Sequence, residues 1–266
     1  MAGPAVAESV RSDTVALAFD PSGRALLKAT VDAVHRSRDG GRHWAAVELP
    51  PVPGATAITS IAVYTGRKSA LYVAGVGFGV LRSNDGGRNW TERNDGLPGT
   101  DVAALAAHAD RPATLYAYVR GRGIFRSEDG GQHWRLMDAG PRGGITRLVH
   151  SNMPGSMQSG WLFAATPHGV RRAMDCFCGW RDAGGLGRPV SAVAFDIRQP
   201  AHVYAAGDAE LFFSSDGGEK WSHVNGPEAV IQSLAVTPDG VIYAAGAGGR
   251  LFRRGTTATS WQRTDA

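Results

Sequence analysis

Arg120-Gly121-Arg122 sets two guanidiniums on either side of a residue that has no side chain. Planar, permanently charged forks of this kind suit a carboxylate, which each can grip through two hydrogen bonds. Arg142, Arg188, Arg250 and His168 stand in other short, turn-like segments, and Phe78 offers an apolar neighbour. Brought to one surface, these residues make a basic patch for an acidic peptide or carboxylate; taken singly, each is solvated loop charge. The acids in comparable segments are Asp32, Asp101, Asp208 and Glu228. Glycoside hydrolysis needs two carboxylates facing each other at roughly 5–9.5 Å, and nothing in the spacing of these four pairs them. They read as solvated loop acids.

Other chemistries find less support. The eight histidines show no metal-ligand spacing. No glycine cluster precedes a helix so as to cradle phosphate, and no serine sits in a nucleophile elbow. The two cysteines, Cys176 and Cys178, flank Phe177. A disulfide between such close neighbours is expected to be strained. The pair therefore reads as two small apolar residues filling a turn, the alternatives being a redox pair or a soft-metal site shared with His168 or a partner's ligand. No cofactor is expected.

What positions these residues is a repeat. Ser37-Arg38-Asp39-Gly40-Gly41 leads to Trp44; Ser83 and Asp85 lead in the same way to Trp90, Ser127 and Asp129 to Trp134, and Ser214 and Asp216 to Trp221. Asp175 to Trp180 keeps the Asp and the Trp, and Thr256 to Trp261 keeps the Trp. With 39, 85, 129, 175, 216 and 256 as anchors, the steps are 46, 44, 46, 41 and 40 residues, a period that means stacked units of one kind. Ser and Asp side chains bond the N–H groups of their own turn, and the glycines supply positive φ. The Trp, starting the next strand, is placed to cover the turn and reach a neighbouring unit. Three residues before the anchors stand Arg36, Arg82, Arg126, Arg172, Phe213 and Arg253. These arginines read as stems laid along a strand with the guanidinium at a neighbouring unit's turn, in preference to an anion-binding ring.

Each unit divides into four short strands, A to D. In the second unit strand A covers 58–64, B 70–74, C 79–82 and D 90–93; strand A recurs at 15–19, 102–107, 145–150, 190–195 and 231–236. No segment sustains a helical period. Six four-stranded units arranged radially make an all-β, six-bladed β-propeller over residues 14–266, with 1–13 as an N-terminal extension. The Ser–Asp turns and the A–B turns then share one face, and the B–C turns and D–A connections share the other. Residues of the Ser–Asp turns are committed to their own hairpins, so the ligand face is expected to be the second one. There the B–C turns bring Phe78, Arg120, Arg122, His168 and Arg250, and the D–A connections bring Arg142 and Arg188.

The S-x-D-x-G-x-x-W pattern resembles the Asp-box, or BNR, repeat of sialidases, sortilin-type receptors, xyloglucanase-like glycosidases and photosystem II stability and assembly factors. The phrasing around it, with Gly-Leu-Pro at 96–98 and Gly-x-Gly-Val/Ile-x-Arg-Ser before the turn, is most similar to the last group. That resemblance implies a non-catalytic scaffold that binds a protein or peptide client on one face. A glycan-directed protein, hydrolase or binding module, is the alternative. Sialidases resemble one another in an Arg triad, a Tyr–Glu pair and an Arg-Ile-Pro segment. This chain has no such segment, and all six tyrosines fall in strands A or B.

The chain has 266 residues and a formal charge of +4, a mildly basic balance that favours an anionic partner and gives no argument for nucleic acid. No stretch approaches the roughly 20 apolar residues of a membrane span. Ala5-Val6-Ala7 before Glu8 has the form of a secretory cleavage site. An exported, periplasmic or extracellular monomer is expected, with a cytoplasmic one as the alternative.

Overall fold

The computed structural model describes residues 13–64 and 69–264. Six four-stranded antiparallel sheets each come from one continuous stretch of chain, in the order A-B-C-D. The inner strands are Ala16–Asp20, Ala57–Tyr64, Val102–Ala107, Arg147–Ser151, Ala192–Asp196 and Ile231–Val236. Each lies against the next, and the sixth lies against the first. The result is a six-bladed β-propeller. Among the described residues the one helical element is a single turn at Ala247–Gly249, and no helix is long and apolar enough to cross a membrane. Residues 1–12 of the expected extension lie outside the described residues. Asp13, its last residue, is tied to blade 6 through the Gln232 amide (2.8 Å) and the Gly248 N–H (2.6 Å).

Burial falls from the ring outward. Leu115–Val119 and Gly123–Ser127, strands B and C of blade 3, are buried at every position, whereas Thr91–Glu92 and Gln262–Arg263 in strands D are exposed. Strands covered on both faces read as continuous apolar runs, which is why Leu-Tyr-Ala-Tyr-Val shows no alternation. Their side chains fill the gaps between blades: Tyr116, Ile124 and Leu148 share one cluster, and Val170, Val193 and Val203 another.

Four turns share one lock. The Ser37 hydroxyl donates to Asp39 Oδ1 (2.7 Å) and accepts the Gly41 N–H (2.8 Å), while Asp39 Oδ1 accepts the N–H groups of Arg42 and His43 (3.0 Å each). Ser83–Asp85, Ser127–Asp129 and Ser214–Asp216 repeat it. Backbone N–H bonds from His43, then the Ser37 hydroxyl, hold the Asp39 carboxyl well below the usual range. Gly41, at φ 96°, shows why no side chain is tolerated. A Cβ there would lie 2.4 Å from Leu251 of blade 6.

The tryptophans act between blades. The indole N–H donates to a group of the preceding blade: Trp90 to Glu48 O (2.8 Å), Trp134 to Arg93 O (2.8 Å), Trp180 to Asp138 Oδ1 (2.9 Å), Trp221 to Ala183 O (2.7 Å) and Trp261 to Asn225 O (2.8 Å). Trp44 of the first blade bonds its own turn at Gly41 O (3.0 Å) instead. The strand-C arginines reach the other way: Arg36 to Gly86 O (2.8 Å), Arg82 to Gly130 O (3.3 Å) and Arg172 to Gly217 O (2.7 Å), each in the following blade's turn. Among the described residues, ring closure uses no exchanged strand. Leu17 N–H donates to Ser233 Oγ (2.9 Å) across the seam between blades 6 and 1.

Trp134 is the most buried of the turn tryptophans, 5% exposed, and also gives its backbone N–H to Asp95 O (2.9 Å). Trp134→Ala is expected to cost about 3–5 kcal/mol, the range for truncating a buried aromatic. Denaturant unfolding checks it: the midpoint should fall sharply for Trp134→Ala and less for Trp44→Ala, whose ring is half-exposed.

Candidate functional site

The loop face, carrying the B–C turns and D–A connections, does not present the predicted basic residues as one continuous patch. Arg120 pairs with Asp101 (3.1 Å), and its backbone N–H bonds Asp101 O (3.0 Å). Arg188 pairs with Glu210 and lies over the Phe212 ring at 5.6 Å. Arg250 folds back so that its Nε donates to Ala247 O (2.9 Å). Phe78 is not a surface residue: it is 4% exposed and packs with Ile58 and Leu81 between blades 1 and 2. The glycines around it let the ring turn inward, since a Cβ at Gly75 would lie 2.3 Å from that ring.

Arg122, Arg142 and His168 are exposed, and none has an ion pair among the described residues. They belong to neighbouring parts of blades 3 and 4. The connection through 139–144 bears on both: a Cβ at Gly140 or Gly144 would lie 3.4 Å from Tyr118, and one at Gly143 would lie 3.0 Å from His168. The four acids come from three parts of the ring, Asp208 and Glu228 standing on neighbouring loops joined by the Ile231 N–H to Asp208 O bond (2.8 Å). Asp101 is engaged by Arg120, and Asp32 Oδ1 accepts the Thr30 hydroxyl (2.6 Å). Asp208 and Glu228 sit exposed on blade 5 and on the connection leaving it.

Behind this face runs the central channel. Three residues of every inner strand line a cavity of about 190 Å³ there, from 17–19 in blade 1 to 234–236 in blade 6. Arg147 of blade 4 crosses its loop-face end. The guanidinium donates to Thr146 O (2.6 Å) and to Val15 O on the opposite blade, while its Nε–H is buried without an acceptor. Burial pulls its pKa down to about 10.

The opposite, turn face holds a cluster that spacing did not reveal. His108 and His150, near the ends of consecutive inner strands, stack at 3.7 Å between ring centroids above Asp175. Asp175 occupies the anchor position of the fourth turn, yet it does not cap that turn. It turns inward, 1% exposed, and accepts the N–H (3.2 Å) and hydroxyl of Ser159, with His150 Nε2 at 3.6 Å and His108 Nε2 at 3.9 Å. Three such groups could hold a metal, but the backbone argues against it. His108 Nδ1 accepts the N–H groups of Asp110 (3.0 Å) and Arg111 (2.9 Å), and His150 Nδ1 accepts that of Ala109 (3.2 Å). Both lone pairs are thereby spent on Nδ1, so each neutral ring keeps its proton on the Nε2 that a metal would need.

Beside this cluster Cys176 and Cys178 are joined in a disulfide, with Cα atoms 5.6 Å apart. This corrects the reading of two small apolar residues filling a turn. It also removes the soft-metal site, because the sulfurs are bonded and His168 lies on the other face. The separation falls inside the ordinary disulfide range. The left-handed backbone of Phe177, at φ 58°, lets one residue complete the turn and sets its ring 6.0 Å from Tyr116 of blade 3.

The sequence matches no protein-family model and no curated protein. Among solved structures the chain is similar to a GH74 enzyme from Niastella koreensis, with TM-score 0.65 and 20% identity over 96% of this chain and 47% of that one. It is similar to the GH74 xyloglucanase from Xanthomonas campestris, with TM-score 0.67 and 18% identity over 96% and 54%. A structure of YCF48 bound to a D1 peptide gives TM-score 0.60 and 20% identity over 93% and 79%. The chain thus spans about half of either GH74 enzyme and most of YCF48. At these identities the likeness is one of fold.

Burial, then the neighbouring His150 and Arg111, pushes His108 down to about 3 from 6.5. Burial disfavours the Asp175 charge, but the polar His150 ring edge at 3.6 Å and the hydrogen bonds from Ser159 more than offset it and hold the carboxyl below its usual 3.8. Between pH 6.5 and 3 the unfolded chain therefore binds more protons at His108 than the folded one does, so stability falls as pH falls through that window. Asp175 adds a further loss below its unfolded value. Melting temperature measured against pH should decline from near 6.5 downward in the native protein and decline less steeply in His108→Gln.

Proposed function

We propose that this propeller is a non-catalytic binding scaffold that takes an acidic peptide segment of a protein client on its loop face, over blades 3 and 4. The observation that carries the reading is the exposed trio Arg122, Arg142 and His168 on adjoining loops, free of carboxylate partners among the described residues. Arg120 and Arg188, by contrast, are already neutralised by Asp101 and Glu210, so the attraction is concentrated on one sector. The peptide-bound YCF48 structure supports the reading, since this chain covers most of that propeller. The separate commitments of Asp32 and Asp101 support it over hydrolysis. An exported monomer remains part of the proposal.

Exposed charge pairs contribute only about 0.2–1 kcal/mol each, so several must act together and binding should weaken as salt rises. A fluorescent peptide of alternating Asp and Gly is expected to bind the native protein and to lose about tenfold in affinity with Arg122→Glu/Arg142→Glu, the melting temperature staying unchanged. Equal binding by both proteins, or binding indifferent to salt, would overturn the proposal. Release of sugar from xyloglucan that disappears with Asp32→Asn or Asp101→Asn would replace it with the glycan-directed reading.

A further inference from the structure

Between blades 1 and 2, away from the Arg122 and Arg142 sector, the loop face opens into a cavity of about 330 Å³. Its floor is Ile58, Phe78 and Leu81, all buried, and one wall is the connection through Leu49, Pro50, Pro51 and Val52. That wall is stiff. Pro50, Pro51 and Pro53 fix their own φ angles, Ala55 N–H bonds Val52 O (3.1 Å), and Thr56 N–H bonds Val76 O (3.0 Å). Gly54 sits so close to the next turn that a Cβ at Gly77 would lie 1.9 Å from its carbonyl. Pro50 and Pro51 also bring no N–H to the wall, which leaves little to solvate an anion or a second polar group.

One charged side chain borders this space. Asp32 stands at the rim beside Val31, which is 49% exposed. The Thr30 hydroxyl holds Oδ1 at 2.6 Å, and among the described residues Oδ2 has no hydrogen-bond partner. Thr30 is itself fixed by a turn in which its N–H bonds Ala33 O (2.9 Å) and its Oγ accepts the Ala33 N–H (3.1 Å). A preformed, largely apolar cavity of roughly 300–1,000 Å³ with a few placed polar groups is the usual form of a small-molecule site. The charge of that polar group selects the ligand.

We propose that this cavity binds a small organic amine, an ammonium carried on an apolar body, with the body against Phe78 and Pro51 and the ammonium on Asp32 Oδ2. The apolar body removes Val31 and the proline wall from water, and the carboxylate supplies the one charge-assisted hydrogen bond. Because the wall is held before binding, little is lost to ordering it.

Phenethylamine is the probe, followed by chemical-shift changes and calorimetry on the whole chain. It is expected to bind saturably and to perturb residues around Asp32 and Phe78. Phenethyl alcohol, of like shape without the charge, and phenylacetate, of opposite charge, should bind about tenfold more weakly or not at all. Asp32→Asn keeps the shape of an exposed side chain and should lower the affinity for phenethylamine about tenfold without changing that for the alcohol. Ala55→Trp, at an exposed lining position, should block all three. Equal binding of amine, alcohol and acid, an Asp32→Asn protein that binds the amine as well as the native one, or no binding would each overturn the proposal. Tighter binding of N-acetyl-arginine amide than of phenethylamine would also overturn it, in favour of a client side chain. None of these outcomes depends on Arg122 or Arg142, so the test is separate from that of the acidic-peptide reading.

Discussion

Every blade depends on hydrogen bonds made across the gap to its neighbour at the level of the Ser–Asp turns. A four-stranded sheet buries one ring's worth of side chains only when another sheet covers it, and apolar contact between sheets is indifferent to small slides. The indole N–H reaching back and the guanidinium reaching forward remove that freedom. Trp134 fixes blade 3 on Arg93 O, and Arg82 fixes blade 2 on Gly130 O, so two directional bonds set the same joint from opposite sides. Both acceptors are backbone carbonyls, whose positions the locked turns and short outer strands define.

The exceptions obey the same constraint. Blade 5 carries Phe213 where other blades carry arginine, and the turn it would have held, at Thr256 in blade 6, has lost its Ser, Asp and glycines. Phe213 packs instead on Tyr204 and His202 at 5.1 and 5.0 Å. In blade 4 the turn is rebuilt around the Cys176–Cys178 disulfide, and Arg126 of blade 3, deprived of a glycine carbonyl, goes to Gln158 (3.5 Å) and Glu128 (3.1 Å). Asp175, released from capping its own turn, becomes the anionic centre for two buried histidines. Where the local lock was lost, a covalent link closes the turn of blade 4, and a buried polar network spans the joint between blades 3 and 4.

This division explains what the sequence made legible. The Ser, Asp, Gly and Trp of a turn act within eight residues, and their physical requirements repeat every 40 to 46 residues, so architecture and the structural role of the tryptophans follow from local chemistry. The His108–His150–Asp175 cluster does not, because it is assembled from two blades whose A–B loops differ in length, leaving no fixed spacing. Phe78 was misplaced for a related reason. Its position in a B–C turn is that of a surface residue, and only the approach of Gly75 shows the ring turned into the core. The basic loop residues do lie in B–C turns and D–A connections, but pairing with Asp101 and Glu210 is tertiary and thins the expected patch to blades 3 and 4.

The thinning gives the loop face a polarity that an even ring of arginines would lack. Unpaired positive charge lies over blades 3 and 4, while over blades 1 and 2 the borders of the apolar cavity carry one carboxylate, Asp32. Within a Debye length of about 8 Å at physiological salt, the two sectors attract opposite charges and act largely apart. Arg147 deepens the asymmetry, because its guanidinium crosses from blade 4 to Val15 of blade 1 with no anion beside it among the described residues and adds fixed positive charge behind the loops.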